Sequence, residues 1–192
     1  MNILLVNNHT RHLRALSEAL QGHNVELLNY KPGVKFDYHD KDLVILSGGG
    51  GEGLEIYDTY KKGKLWYDDQ ISFVRSCPKP ILGICMGFEV IAKAYGADVE
   101  RLPSLIEGFK RVKPTRAGKR LLSQSRLKQF ESHEWCVPNI ASDEFTVLAK
   151  SKTGVEIFRH NKRPIMAAQF HPEVKGGTLD LENLIQSTLS PA

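Results

Sequence analysis

Short apolar runs alternate with amphipathic stretches through the first half of the chain. Residues 3–6 form an apolar run followed by the polar pair Asn7-Asn8, and Leu13, Leu16, Ala19 and Leu20 then recur at helical spacing ahead of Gly22. The pattern predicts strand, loop, helix. Residues 25–28, 43–46 and 81–84 are further runs of the kind that a parallel sheet buries on both faces. The apolar positions at 71–74 belong to a helix that Pro78 and Pro80 end, and a second helix is expected over 86–95, with Val90, Ile91 and Ala94 on one face and Gly96 as its cap. After residue 97 the texture changes to short β-like stretches at 109–112, 130–137, 145–148, 155–158 and 165–170, before a final helix over about 179–189. The expected fold is α/β, with a mostly parallel central sheet flanked by helices and β-hairpins added in the second half. No repeat or linker interrupts it, so a single domain is expected over residues 1–192.

Composition narrows the function classes. With 192 residues, such a chain buries roughly 70% of its unfolded surface and needs no disulfide or metal to hold a core. Its 26 Lys and Arg against 22 Asp and Glu leave a net charge of +4, too slight for a nucleic-acid binder. Acidic small ligands or an acidic partner stay open. No apolar run approaches the roughly 20 residues that span a bilayer, and the first residues carry no basic region or cleavage site, so a soluble, cytoplasmic protein is expected. Cys77, Cys85 and Cys136 form no Cys-x-x-Cys pair, which suits reduced thiols. His9, His12, His23, His39, His133 and His160 show no convincing metal-ligand spacing, so neither metal nor cofactor is expected.

Three segments carry chemistry. Gly83-Ile84-Cys85-Met86-Gly87 places a cysteine between two glycines where a buried strand meets a helix, the arrangement of a strained nucleophile elbow. The nucleophile there is expected to be exposed, in an unfavourable backbone conformation, with its thiol pKa lowered by the helix N-terminus. Phe170-His171-Pro172-Glu173 supplies a base and its orienter. In an extended segment, side chains at i and i+2 point the same way, so Glu173 reaches the His171 ring. Ser47-Gly48-Gly49-Gly50-Gly51-Glu52-Gly53 follows the third strand; its Gly-x-Gly-x-x-Gly match is misplaced for dinucleotide binding, and no P-loop is present. A glycine turn beside an elbow instead aims N–H groups at a developing oxyanion. Cys77 and Cys136 lack a glycine frame or local base and are read as packing residues, whereas Trp66 and Tyr67 suit either a lid or packing.

Together with Ser132-His133-Glu134-Trp135, these motifs make the chain resemble a class I, triad-type glutamine amidotransferase over nearly its whole length. Glu131-Ser132-His133 and Gln169-Phe170-His171-Pro172-Glu173 look most like the glutaminase part of GMP synthetase, especially its free-standing subunit form. The resemblance implies a flavodoxin-like sheet and hydrolysis of L-glutamine to glutamate and ammonia, with the ammonia passed to a separate synthetase. It further implies a Cys85, His171, Glu173 triad and an oxyanion hole from the N–H groups of Gly49 and Met86. Backbone near Gly51, Glu134 and Trp135 would hold the amino-acid end of the substrate.

One position departs from the family pattern. Glu89 stands where Gly-x-Cys-x-Gly-x-Gln places a glutamine that touches substrate. A carboxylate cannot donate as an amide does, and would attract the substrate ammonium while repelling its α-carboxylate. Gly87-Phe88-Glu89 also resembles the γ-glutamyl hydrolases, which keeps cleavage of γ-glutamyl peptides open; a catalytically silent regulatory module of the same fold is a third reading. Finally, Lys110, Arg111, Lys113, Arg116, Lys119, Arg120, Arg126 and Lys128 form a run without an acidic residue, either a solvated face or a dock for a synthetase or its nucleotide.

Overall fold

The structure, a computed structural model, describes residues 1–49 and 67–190. Nine strands form one sheet in the order β2-β1-β3-β4-β9-β8-β7-β5-β6. The strands β1 (Asn2–Asn7), β2 (Asn24–Asn29), β3 (Leu43–Leu46), β4 (Ile81–Ile84) and β9 (Ile165–Ala168) are mutually parallel. β5 (Glu100–Pro114), β6 (Leu127–Cys136), β7 (Phe145–Lys150) and β8 (Val155–His160) are joined to one another and to β9 by antiparallel pairings. The sheet is therefore mixed rather than mostly parallel. Its second half folds back as antiparallel ribbons because the connections there are too short for the crossover that parallel strands require.

Both faces of the parallel half are covered. Ile3, Leu5, Leu43, Ile45, Leu82 and Ile84 pack with Leu16 and Leu20 of α1 (Leu13–Ala19) and its end, and with Leu184 and Ile185 of α5 (Leu181–Leu189). The alternate residues Leu4, Val6, Val44, Leu46 and Ile81 pack with Phe73 and Val74 of α2 (Asp68–Ser76) and with Phe88, Val90 and Ile91 of α3 (Met86–Ala94). This two-sided burial explains why β1, β3 and β4 read as unbroken apolar runs. β2 differs: it is the sheet edge and Leu27 is 46% exposed, so residues 25–28 are not buried on both faces.

Two elements carry no clear sequence signal. β5 is much longer than the expected 109–112 because most of residues 100–111 are exposed or half-buried on both faces and show no alternation. α4 (Arg116–Leu121) is a short helix opened by Thr115, whose hydroxyl accepts from the Gly118 N–H at 3.0 Å. The final helix begins at Leu181, two residues later than expected, because Asp180 and Asn183 form a reciprocal capping box. Among the described residues no helix is long and apolar enough to cross a membrane.

Candidate active site

The site forms where β3 and β4 end and the sheet curls to bring β6 back toward β9. Cys85 links β4 to α3 with φ +49° and ψ −104°, a backbone conformation that L-residues avoid. Its N–H donates to Ala168 O at 2.8 Å, which pins the turn to β9. The flanking glycines are steric requirements. A Cβ on Gly83 would lie 2.7 Å from the Gly87 carbonyl carbon, and one on Gly87 would run into the Leu46 carbonyl oxygen. α3 therefore starts close against β3, with Gly87 N–H donating to Ser47 O at 3.2 Å.

Cys85 is only 7% exposed, more enclosed than an exposed elbow implies. Its Sγ faces the Ser132 carbonyl of β6 at 3.8 Å, and it is engaged by the His171 side chain. Burial pushes the Cys85 thiol up, against the pull of the neighbouring imidazole, with the charges of Glu89 and Glu173 adding to the rise. The helix N-terminus does not reverse this, contrary to the expectation of a lowered value. Burial alone would strip the proton from His171, but Cys85 and the Glu173 carboxylate outweigh it and hold the imidazole well above its ordinary value.

His171 Nδ1 lies 2.8 Å from Glu173 Oε1, both residues being buried. The contact arises in a turn, not in the extended segment expected: Val174 N–H donates to His171 O at 3.2 Å, with Pro172 second in the turn. His171 N–H donates to Phe130 O of β6 at 2.8 Å. His12 is a residue whose place the sequence hid. Its ring sits 4.4 Å, centroid to centroid, from that of His171, and burial, followed by the charge of His171, lowers its pKa. No spacing within the chain links the two positions.

The glycine turn is anchored from below. Asn8 N–H donates to Ser47 Oγ at 2.9 Å, Asn8 Nδ2 to Ser47 O at 3.0 Å, and Gln70 Nε2 to Asn8 Oδ1 at 2.8 Å. A Cβ on Gly48 would stand 3.0 Å from His171 Cε1, and one on Gly49 would stand 2.6 Å from Met86 Sδ. Gly49 and Met86 are thus neighbours beside the nucleophile, and Met86, first in α3, has no intrahelical acceptor for its N–H. Gly51, with the rest of the glycine run beyond Gly49, and Trp66 lie outside the described residues. Tyr67 is fully buried, so it packs rather than closing over the site.

Glu134 and Trp135 follow Ser132 along β6, and Glu134 pairs with Arg101 of β5 at 3.0 Å. Glu89 is buried and accepts from Gln169 Nε2 at 2.9 Å. Cys77 and Cys136 are buried free thiols, and the eight basic residues between 110 and 128 are all exposed.

A parallel sheet ending in a Cys elbow, faced by a His–Glu pair and a glycine turn, defines a class of protein. Residues 4–190 match the glutamine amidotransferase class-I family, and the chain belongs to it. Its relatives include the glutamine-hydrolyzing subunit of GMP synthase from Methanothermobacter thermautotrophicus, 31% identical over 179 residues, which covers 90% of this chain and 88% of that protein. The arginine-specific small chain of carbamoyl phosphate synthase from Bacillus subtilis is 34% identical over 145 residues, 73% of this chain but 37% of that one. A solved structure of the corresponding GMP synthase protein from Thermoplasma acidophilum superposes with a TM-score of 0.79 at 26% identity, over 98% of this chain and 92% of that one.

Proposed function

We propose that the chain is the glutaminase subunit of a two-subunit GMP synthetase, hydrolysing L-glutamine to glutamate and ammonia for a separate synthetase subunit. The observation that carries the chemistry is Cys85 at a strained elbow, engaged by a buried His171 whose far nitrogen is held by Glu173 at 2.8 Å. The likeness to the glutamine-hydrolyzing GMP synthase subunit extends over nearly the full length of both chains. It favours that acceptor over carbamoyl phosphate synthase, whose small chain is matched over 37% of its length.

In this reading Cys85 Sγ attacks the side-chain amide carbon of glutamine as its proton passes to His171 Nε2. The N–H groups of Gly49 and Met86 hold the oxyanion. His171 returns the proton to the departing nitrogen, which leaves as ammonia with the C–N electron pair, and a glutamyl thioester stays on Cys85. His171 next takes a proton from water; the hydroxide attacks the thioester, the sulfur leaves with the C–S electron pair, and glutamate is released. Glu173 keeps Nδ1 protonated and stabilises the imidazolium in both halves. Backbone around Gly51, Glu134 and Trp135 receives the amino-acid end of glutamine, with Glu89 beneath it.

Ammonia and glutamate release from L-glutamine, measured beside a γ-glutamyl dipeptide with Cys85→Ala as the blank, tests the reading. Glutamine turnover that increases when the synthetase subunit of a GMP synthetase is added is expected, with loss of at least about 1,000-fold in Cys85→Ala. Preferential dipeptide cleavage would make the protein a γ-glutamyl hydrolase. Silence on both substrates, with and without the synthetase, would make it a non-catalytic module.

A further inference from the structure

Three buried side chains outside the catalytic set meet behind the Ser132 carbonyl. Glu131 and His133 come from β6 and Glu156 from β8, and one ligand atom of each lies within 4.8 Å of the other two. All three residues are at most 5% exposed. His133 Nδ1 is 2.6 Å from Trp135 O. A carbonyl only accepts, so Nδ1 carries the ring proton, the arrangement in which metal-binding imidazoles are commonly held. Nε2 then turns its lone pair on the carboxylate of Glu131, 2.9 Å away. Two acceptors in contact need a cation between them.

A proton on Nε2 answers that contact alone. It leaves Glu156 Oε2, which is buried and has no hydrogen-bond partner, although Ser151 and Thr153 hold the same carboxylate by their hydroxyls. A divalent cation serves all three groups at once and is neutralised by the two carboxylates. The chemistry of one imidazole and two carboxylates suits Zn²⁺ or Mn²⁺ better than a thiophilic or an all-oxygen ion. At metal–ligand distances of about 2.0–2.2 Å the widest gap closes by about 1 Å, within reach of a side-chain rotation of Glu156.

We infer that Glu131, His133 and Glu156 form a structural binding site for a divalent cation that ties β6 to β8 behind the catalytic cysteine. Sequence spacing conceals it, because Glu156 joins the other two only through the curl of the sheet. The ion would fix the segment whose Ser132 carbonyl faces Cys85 Sγ, without touching substrate.

The test uses the full chain carrying Cys85→Ser, so that the reactive thiol does not itself capture metal. Zn²⁺ is titrated calorimetrically into protein stripped with a chelator, and bound zinc is counted after dialysis. One equivalent per chain and a rise in Tm are expected, with affinity weakened more than about 100-fold in Glu156→Gln, beyond what loss of an outer-shell partner causes. Pulsed electron paramagnetic resonance of the Mn²⁺-loaded protein needs no such variant and should show a coordinated imidazole nitrogen that His133→Gln removes. No retained zinc, binding indifferent to Glu156→Gln, or a Mn²⁺ spectrum without that nitrogen would each overturn the site and leave protons as the only cations there.

Discussion

Cys85 and His171 both hold their protons more tightly than the free side chains do. The reactive form of the pair has lost one of those protons, so activity towards glutamine rises with pH, through an acid limb centred above the ordinary histidine value of 6.5. The Glu173 carboxylate contributes to that tight hold. Glu173→Gln should therefore move the limb to lower pH and reduce kcat by about 100- to 10,000-fold; a pH profile of kcat/KM with an unmoved limb would count against Glu173 as the orienter. Glu89 gives a second measurement. Its carboxylate already takes the Gln169 Nε2, and Gln169 Oε1 has no partner, so an amide at position 89 can return a hydrogen bond. Glu89→Gln should raise stability by about 1 kcal/mol in denaturant titrations. It should also speed alkylation of Cys85 near neutral pH, because one of the negative charges that push its thiol up is gone. At this scale the nucleophile, base and orienter were legible because the chemistry packs them into two short motifs. His12, Asn8 and Gln70 were not, since only folding brings them to His171 and Ser47.

Among the elements, the contact between β3 and α3 bears most directly on the site. Gly87→Ala drives a methyl group into the Leu46 carbonyl oxygen, and because that neighbour is backbone, the helix itself has to move. The expected cost is about 1–3 kcal/mol, or a Tm lowered by roughly 2–4 °C for each kcal/mol in a chain of this size. A variant with wild-type Tm would show that α3 does not press on β3. β1, β3, β4 and α3 were readable because burial on both faces, or on one helical stripe, writes a period into the chain. β5 has no such period: it is a ribbon with much of both faces in water. The turn at residues 171–174 shows the other limit of local reading. An extended segment would bring His171 to Glu173, but Pro172 suits a turn equally well, and the hydrogen bond from Val174 decides for the turn.

For the whole molecule, the α/β class and its added hairpins could be inferred, while the mixed pairing and the curl that closes the site could not, because strand order is set by contacts far apart in sequence. That order has a kinetic consequence. β9 lies between β4 and β8 and supplies Ala168 O to Cys85. A nascent chain shorter than about 170 residues presents β4 as an open, wholly apolar strand edge, with the cysteine turn unpinned and no imidazole beside the thiol. Translation thus leaves the reactive centre to assemble among the last events, and until then the growing chain depends on chaperones or speed to keep that edge from pairing with another polypeptide.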